Sequence, residues 1–405
     1  MMEASFVFRR AWRMAPLFLL ALAAVGCGQP FSSPSVPAPS RGTPASPAAP
    51  GTSGAPSMMA APAVLATGVN SGHILREDAI TRVLSATYQV QGLYRSMLGP
   101  YSTERLTVLD RPQPELVWLT GYNAHMVAED GQTEMPQRYM CHSNLDFNPG
   151  VHRNRVASSR AASSRLFTLS QGQFVVEFPP GFGIPMMSDE VLSLTTQVLN
   201  LHDPNDRARV RHNVGIRFVP DRDAAQPMRP LFPTSAYGLV TLEEGGVCYN
   251  SPHDGPSCLP GAVAEGGAVI TDRLGRRFSG HWIVPPGKHV YRTDCTTLMN
   301  IPWDTTVHYI ATHLHPFAES LELVDRTAGT TVFQSLAVNT TDIIGLEHVD
   351  YFSSVEGVPL YKDHQYEIIA RYDNTSGQNQ DSMAVMYMYV LDKEFQRPGA
   401  ASATP

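Results

Sequence analysis

The chain has 405 residues, of which 43% are hydrophobic, and a formal net charge of −7 at pH 7. This length is sufficient for two domains with buried cores. The net negative charge argues against nucleic acid as a partner, because the phosphate backbone attracts basic proteins.

Residues 1–27 have the pattern of a bacterial export signal. Three arginines within residues 9–13 precede an apolar run, residues 15–24, which is too short for a permanent membrane span. The run ends in Ala24-Val25-Gly26-Cys27, which resembles a lipobox, the small-residue pattern before a cysteine that is lipidated after cleavage. We therefore expect export and a lipid anchor on Cys27. Gly28 rather than Asp follows the cysteine, which for such lipoproteins implies the outer membrane. The alternative is an ordinary secretory signal that is cleaved nearby.

The organisation after the signal follows from composition. Residues 28–73 are dominated by Pro, Ala, Ser, Gly and Thr and are predicted to form a disordered tether. Residues 74–230 are predicted to form an N-terminal domain and residues 231–395 a C-terminal domain, followed by a disordered tail at 396–405. The boundary is placed by the three prolines within Asp221–Pro233.

A short helix is predicted at the start of the N-terminal domain. Between Ile74 and Leu98 the apolar positions suggest an amphipathic helix without an interrupting proline. These positions are Ile74, Leu75, Ile80, Val83, Leu84 and Leu93.

The rest of the chain has the pattern of β-strands. Apolar and β-branched runs are separated by clusters of Pro, Gly, Asn and Asp, which is typical of all-β folds. We predict an all-β chain with two tandem jelly-roll β-sandwich domains. The predicted strands are 116–119, 173–178, 191–201, 210–219, 281–284, 307–313, 320–325, 331–333, 366–372 and 383–391.

Four cysteines remain besides Cys27, in a compartment that permits disulfides. Cys248 and Cys258 bracket a turn-rich loop, so we expect them to form a disulfide. Cys141 and Cys295 could pair across the domains or remain thiols, since sequence alone does not fix connectivity.

The strongest functional signal is His313-Leu314-His315. On a β-strand, residues i and i+2 point to the same face, so these two imidazoles can bind one metal ion. About seventy residues later, Met383 could add a thioether. Two imidazoles and a soft sulfur suit copper better than magnesium, calcium or structural zinc. The pair lies near a predicted strand end, where a coordination position is easily left open.

The second half resembles the C-terminal domain of the copper type II, ascorbate-dependent monooxygenases, the family of peptidylglycine α-hydroxylating monooxygenase and dopamine β-monooxygenase. The matching segments cover roughly residues 270–392 and occur in the family's order: Ile283-Val284-Pro285-Pro286-Gly287, Cys295, His313-Leu314-His315 and Asp381-Ser382-Met383. The resemblance implies two jelly rolls with copper in each, and oxygen activation at His313, His315 and Met383. It also implies a small organic substrate, O₂, and ascorbate or another one-electron reductant.

The first half matches this family less well. The family has adjacent histidines at the position of Cys141-His142, and its third histidine falls nearer Asn200 than His202. His142, His202 and His212 are the candidate ligands of a reorganised first site. Whether that site is intact stays open, so we expect one or two copper ions per chain.

Two other functions are compatible with the same residues. A cupin would use His313-x-His315 with Glu319 and a later histidine such as His364 for iron or manganese, but this leaves Met383 unexplained. A lipoprotein without enzymatic activity could hold copper, or keep only the fold.

Overall fold

The computed structural model describes residues 73–77, 79–94, 96, 98–156, 164–244, 246, 269–271 and 275–398. The predictions for the export signal, Cys27 and nearly all of the tether lie outside the described residues. The predicted Cys248–Cys258 disulfide also lies outside them, as does most of the tail. Among the described residues, none of the helices has the length and apolarity that crossing a membrane requires.

We define the first half as residues 73–220. Its one α-helix in the described part is α1 (Pro149–Arg155), and a 3₁₀ turn covers Gln137–Tyr139. Its strands are β1 (His73–Glu77), β2 (Ile80–Leu84), β3 (Tyr88–Gln89), β4 (Tyr101–Leu106), β5 (Leu116–Ala128), β6 (Met140–Asp146), β7 (Arg165–Leu169), β8 (Val175–Glu177), β9 (Phe182–Met187), β10 (Leu192–Val198) and β11 (Arg209–Pro220).

We define the second half as residues 229–398. It contains the short helix α2 (Thr296–Met299) and a 3₁₀ turn at Leu242–Glu244, and a 3₁₀ turn at Asp221–Asp223 precedes it. Its strands are β12 (Arg229–Tyr237), β13 (Val240–Thr241), β14 (Val269–Thr271), β15 (Arg277–Ser279), β16 (Trp282–Val284), β17 (Gly287–Asp294), β18 (Thr305–Leu314), β19 (Ala318–Asp325), β20 (Thr330–Asn339), β21 (Leu346–Val349), β22 (Phe352–Leu360), β23 (Tyr366–Asn374), β24 (Gln380–Ser382) and β25 (Ala384–Leu391).

The all-β sandwich fold class is confirmed. Each predicted strand overlaps an observed one, for example 210–219 with β11 and 383–391 with β25. Strands that are buried on both faces, such as β25, have continuous apolar sequences rather than alternating ones.

The predicted helix between Ile74 and Leu98 is wrong. This segment forms β1, β2 and β3, and Ala79 lies in the turn between the first two with φ of +74°. The physical reason is the period of β2, whose residues alternate between half-buried and buried along Ile80–Leu84. β-Branched residues at Ile80, Thr81 and Val83 favour that pleated conformation over a helix.

One sheet of eleven strands runs through both halves in the described part of the chain. Its order is β1-β2-β11-β5-β9-β12-β25-β18-β22, with β3 attached to β11 and β8 to β5. A four-stranded sheet, β4-β10-β6-β7, covers it in the first half, and a five-stranded sheet, β17-β23-β19-β20-β21, covers it in the second. Small sheets of β13-β15-β14 and β16-β24 complete the second half.

Two of the three prolines that were used to place the domain boundary lie inside a strand. Pro230 and Pro233 lie in β12, which continues the large sheet from β9. On the β9 side, β12 is paired only at Arg229 and Pro230. The rest of β12 makes no ladder hydrogen bonds to β9. Proline, which has no N–H group to donate, is therefore tolerated in this strand.

Aromatic side chains fill the space between the halves. Tyr389 of β25 packs against Phe178 and Phe167 of the first half, with ring centroids 4.7 and 5.6 Å apart, respectively. The Tyr389 hydroxyl donates to the main-chain oxygen of Leu166 at 2.7 Å. One hydrophobic core therefore contains residues of both halves, and a second belongs to the second half alone.

Candidate metal centre

His313 and His315 are placed by the ladder between β18 and β25. His313 lies opposite Val385, and Leu314 lies opposite Ala384. Directly opposed residues share a face of the sheet, so His313 shares the face of Val385. Val385 belongs to the core that both halves form, whereas Ala384 belongs to the core of the second half. The histidine pair therefore faces the first half.

Met383 occupies the position just before β25 and is fully buried. Its main-chain oxygen accepts a hydrogen bond from the Tyr372 hydroxyl at 2.9 Å. Met383 belongs to the same hydrophobic core as Val385, the residue opposite His313. The thioether residue therefore lies in the core that the histidine pair faces.

The two imidazoles are held through their Nδ1 atoms. The ring centroids are 5.2 Å apart and the ring planes are perpendicular. The Nδ1 of His313 lies 2.8 Å from the Ser170 hydroxyl. The Nδ1 of His315 lies 3.3 Å from the main-chain oxygen of Asp381 and 3.6 Å from a carboxylate oxygen of the same residue.

These contacts decide which nitrogen is available. Both Asp381 atoms can only accept, so Nδ1 of His315 carries the proton and Nε2 carries the lone pair. Nε2 of His313 is buried without a hydrogen-bond partner among the described residues. Metal-binding histidines commonly donate through one nitrogen and bind through the other.

Burial keeps the pair uncharged. Desolvation lowers the pKa of His315 to about 4, although Asp381 opposes the shift. Desolvation, reinforced by His315 and His142, holds the pKa of His313 well below its usual value. Both imidazoles are therefore neutral near pH 7, which is the form that binds metal.

A third imidazole was missed from the sequence. His281 is 1% exposed, and its ring centroid lies 5.8 Å from that of His315. Its Nδ1 lies 3.8 Å from a carboxylate oxygen of Asp381. The only available signal was its place before β16, which pairs with β24 immediately before Met383. That register cannot be derived from one sequence.

The donor set limits the metals that fit. Among the residues that the structure describes, no three His, Cys, Asp or Glu side chains are grouped closely enough to hold a metal ion. The candidate donors are therefore the two imidazoles, together with the thioether of Met383 that the sequence predicts as the third ligand. Such a soft set fits Cu(I) and does not fit magnesium, calcium or structural zinc.

The first-half candidates are only partly brought together. His142 of β6 and His212 of β11 are 1% and 0% exposed. Desolvation lowers the pKa of His212 to about 3. It also holds the pKa of His142 well below its usual value, and charges on Arg165, His212, His281 and His315 would lower it further. His142 is thus close enough to interact electrostatically with the second-half histidines.

His202 lies elsewhere. It is in the turn after β10, half-buried, where desolvation and the charge of Arg138 lower its pKa. The described structure therefore does not place His202 with His142 and His212 in a three-histidine site.

Cys141 and Cys295, whose pairing the sequence left open, do not form a disulfide with each other. Cys141 and Cys295 are both buried thiols. Sγ of Cys295 lies 3.6 Å from Sδ of Met299 in the core of the second half.

The cupin ligands are separated. Glu319 is exposed and pairs with Lys288 at 3.1 Å. His364 bonds to Asp325 at 2.6 Å through its Nδ1. Neither residue is placed beside His313 and His315, so the geometry does not favour a cupin site.

No protein-family model and no curated protein matches the chain. A search of solved structures finds weak matches. One is a structure from the Sulfolobus turreted icosahedral virus, with 9% sequence identity and a TM-score of 0.25; the match covers 78% of this chain and 92% of that chain. Another contains the CUB1-EGF-CUB2 domains of rat MASP-1, with 12% identity, a TM-score of 0.17 and coverage of 76% and 97%. At these TM-scores, the likeness carries no argument about function.

Proposed function

We propose that this chain is an exported copper protein of the ascorbate-dependent monooxygenase type, with copper held by His313, His315 and Met383. The observation that carries the proposal is the paired anchoring of the two imidazoles through Nδ1. It leaves two neutral Nε2 atoms on the face of the sheet that Met383 adjoins. This arrangement supports a soft, low-coordinate metal site.

The residues around the site have distinct tasks. Asp381 fixes the tautomer of His315, and Ser170 holds the ring of His313. Burial keeps both rings neutral and excludes water from the site. The thioether of Met383 stabilises the reduced metal.

The proposed reaction uses O₂, a small organic substrate, and ascorbate or another one-electron reductant. Bound copper would supply the one-electron redox chemistry with O₂. His142 and His212 would form the remnant of a first copper site, so one ion per chain is the minimum. The proposal includes export and a lipid anchor on Cys27 at the outer membrane, which the lipobox-like sequence Ala24-Val25-Gly26-Cys27 supports.

A second candidate is a protein that holds copper without catalysis. The observation that favours it is the burial of the ligands between the halves, with His313 4%, His315 7% and Met383 0% exposed. The separation of His202 from His142 and His212 also favours it, because coupled hydroxylation would need a second electron from a first-half site.

Copper content of the purified full chain tests the proposal. After anaerobic loading with Cu(I) and removal of excess metal, mass spectrometry would count copper in the wild type and in His313→Ala and Met383→Ala. His289→Ala is the matched control, because His289 lies on β17 with its ring bonded to Pro286. We expect the first two variants to lose one copper and the control to lose none.

Oxygen uptake then separates the two candidates. Ascorbate-dependent O₂ consumption that His313→Ala abolishes and His289→Ala retains would support the monooxygenase. Copper binding without O₂ consumption would support the copper-holding protein. A wild type without copper, or copper retained in full by His313→Ala, would contradict both.

A further inference from the structure

A buried turn of the first half reaches into the second half. Ser170-Gln171-Gly172-Gln173 follows β7 and is closed by two main-chain hydrogen bonds between Ser170 and Gln173, at 3.3 and 3.2 Å. All four residues are buried. We call this segment the 170–173 turn.

Three hydrogen bonds fasten the turn to backbone groups of the second half. The N–H of Val349 donates to the main-chain oxygen of Gly172 at 3.0 Å. The N–H of Leu346 donates to the side-chain oxygen of Gln171 at 3.3 Å. The N–H of Thr312 donates to the side-chain oxygen of Gln173 at 3.0 Å. The turn is therefore bonded to both β21 and β18.

A further contact of the turn is with the candidate copper site. The Ser170 hydroxyl lies 2.8 Å from Nδ1 of His313, the residue directly after Thr312. His315, by contrast, is held by Asp381 of its own half. The two copper-binding histidines thus receive their orienting hydrogen bonds from different halves of the protein.

A hydroxyl at this place can select the nitrogen that binds metal. When Nδ1–H donates to Ser170, the lone pair of His313 is on Nε2, which has no hydrogen-bond partner among the described residues. Without the hydroxyl, the ring would lose its fixed rotation and tautomer. Removal of such an outer partner typically weakens metal binding by about 10- to 100-fold.

We propose that Ser170 is a positioning residue for the copper site, so that the first half controls copper affinity through the docked 170–173 turn. This inference rests on the proposed function, since it assumes copper at His313. It assigns to the turn a role beyond holding the halves together.

Competitive Cu(I) titration of the full chain against a chromophoric chelator tests the inference, together with the Cu(II) electron paramagnetic resonance spectrum. We expect Ser170→Ala to weaken copper binding by about 10- to 100-fold and to broaden or shift the spectrum. Ser170→Thr keeps a hydroxyl and should restore both. Ser143→Ala is the matched control, because it removes a buried hydroxyl of the neighbouring strand that bonds to Tyr122 at 2.6 Å.

A purely structural role predicts a different pattern. The thermal unfolding temperature would then fall in Ser170→Ala and Ser143→Ala alike, and the copper affinity would be unchanged in both. That result would overturn the inference. If Ser170→Ala is too unstable to titrate, Gln173→Ala loosens the same turn through Thr312, and unchanged affinity there would equally overturn it. Copper binding that is insensitive to His313→Ala would instead show that the proposed function has failed.

Discussion

A Cβ atom added to Gly172 would lie 2.7 Å from Cγ2 of Val349, closer than carbon atoms approach in a packed interior. Gly172 also has φ of +84°, a conformation that other residues rarely adopt. The tip of the 170–173 turn is therefore fitted to the second half so tightly that only glycine meets both conditions.

Gly172→Ala should lower the free energy of unfolding by about 2–4 kcal/mol, since it combines backbone strain with a steric clash. Gly329→Ala isolates the strain, because Gly329 has φ of +69° but nothing within 4 Å of the added Cβ. Its cost should be about 1–2 kcal/mol. Urea unfolding of both variants measures the difference, and equal losses would show that the contact with Val349 is not tight.

Met383→Leu should weaken Cu(I) binding while keeping the fold. The exchange conserves volume and costs less than about 1.5 kcal/mol, but it removes the only soft ligand of the set. Met386→Leu is the control, because Met386 lies on β25 and packs in the core of the second half, whereas Met383 packs in the core that both halves form. Chelator competition should show a loss of at least about tenfold for Met383→Leu alone. Similar affinities in the two variants would exclude Met383 as a ligand.

His212 should make the metal-free protein less stable in acid. Its pKa is about 3 in the fold, against about 6.5 in the unfolded chain. The unfolded state therefore binds the proton more readily, and stability is lost as pH falls below about 6.5 and continues to fall until about 3. At pH 5 the loss from this residue is about 2 kcal/mol.

Urea unfolding at pH 8 and pH 5, with a chelator present, measures the stability that is lost on protonation of His212. His212→Leu should lose less stability between the two pH values than the wild type does. The comparison cancels any packing cost of the substitution that does not depend on pH. An unchanged pH dependence would mean that His212 is not buried as a neutral ring.

Asp146→Ala should lower the free energy of unfolding by about 3 kcal/mol. It removes the carboxylate that lies 2.7 Å from Nε of Arg165, whose side chain is 4% exposed. The guanidinium would remain in the interior with its charge poorly compensated. Glu129→Ala breaks the pair with Arg209, in which both side chains are 54% exposed. That control should leave the unfolding midpoint unchanged. A midpoint shift of the same size in both variants would show that burial does not matter.

The strands were predictable because their side-chain pattern is local. Runs such as 366–372 contain β-branched and aromatic residues bounded by turn residues, and that signal needs no knowledge of neighbours. The prediction for the segment around Ile80 failed because its few apolar positions fit either period. The strand is selected by pairing with β11, for example Leu84 with Asn213 and Ile80 with Arg217, far away in the sequence. Pairing of this kind decides between helix and strand where the apolar pattern fits both.

The candidate metal site was likewise predictable only in part. The convergence of His313 and His315 follows from the two-residue period of one strand. The contributions of His281 and Ser170 depend on how separate strands are aligned, and a single sequence holds no record of that alignment. The predicted grouping of His202 with His142 and His212 also required a loop conformation that spacing does not determine.

The eleven-stranded sheet has a consequence for any attempt to divide the protein. β12 is paired with β25 along Leu231–Tyr237 but with β9 at only Arg229 and Pro230. A cut between residues 224 and 228 would leave each fragment with an open strand edge and with the aromatic surface around Tyr389 and Phe178 newly exposed to water. Such edges and surfaces promote aggregation. Neither half should therefore be soluble alone, since each one shields apolar surface and a strand edge of the other from water.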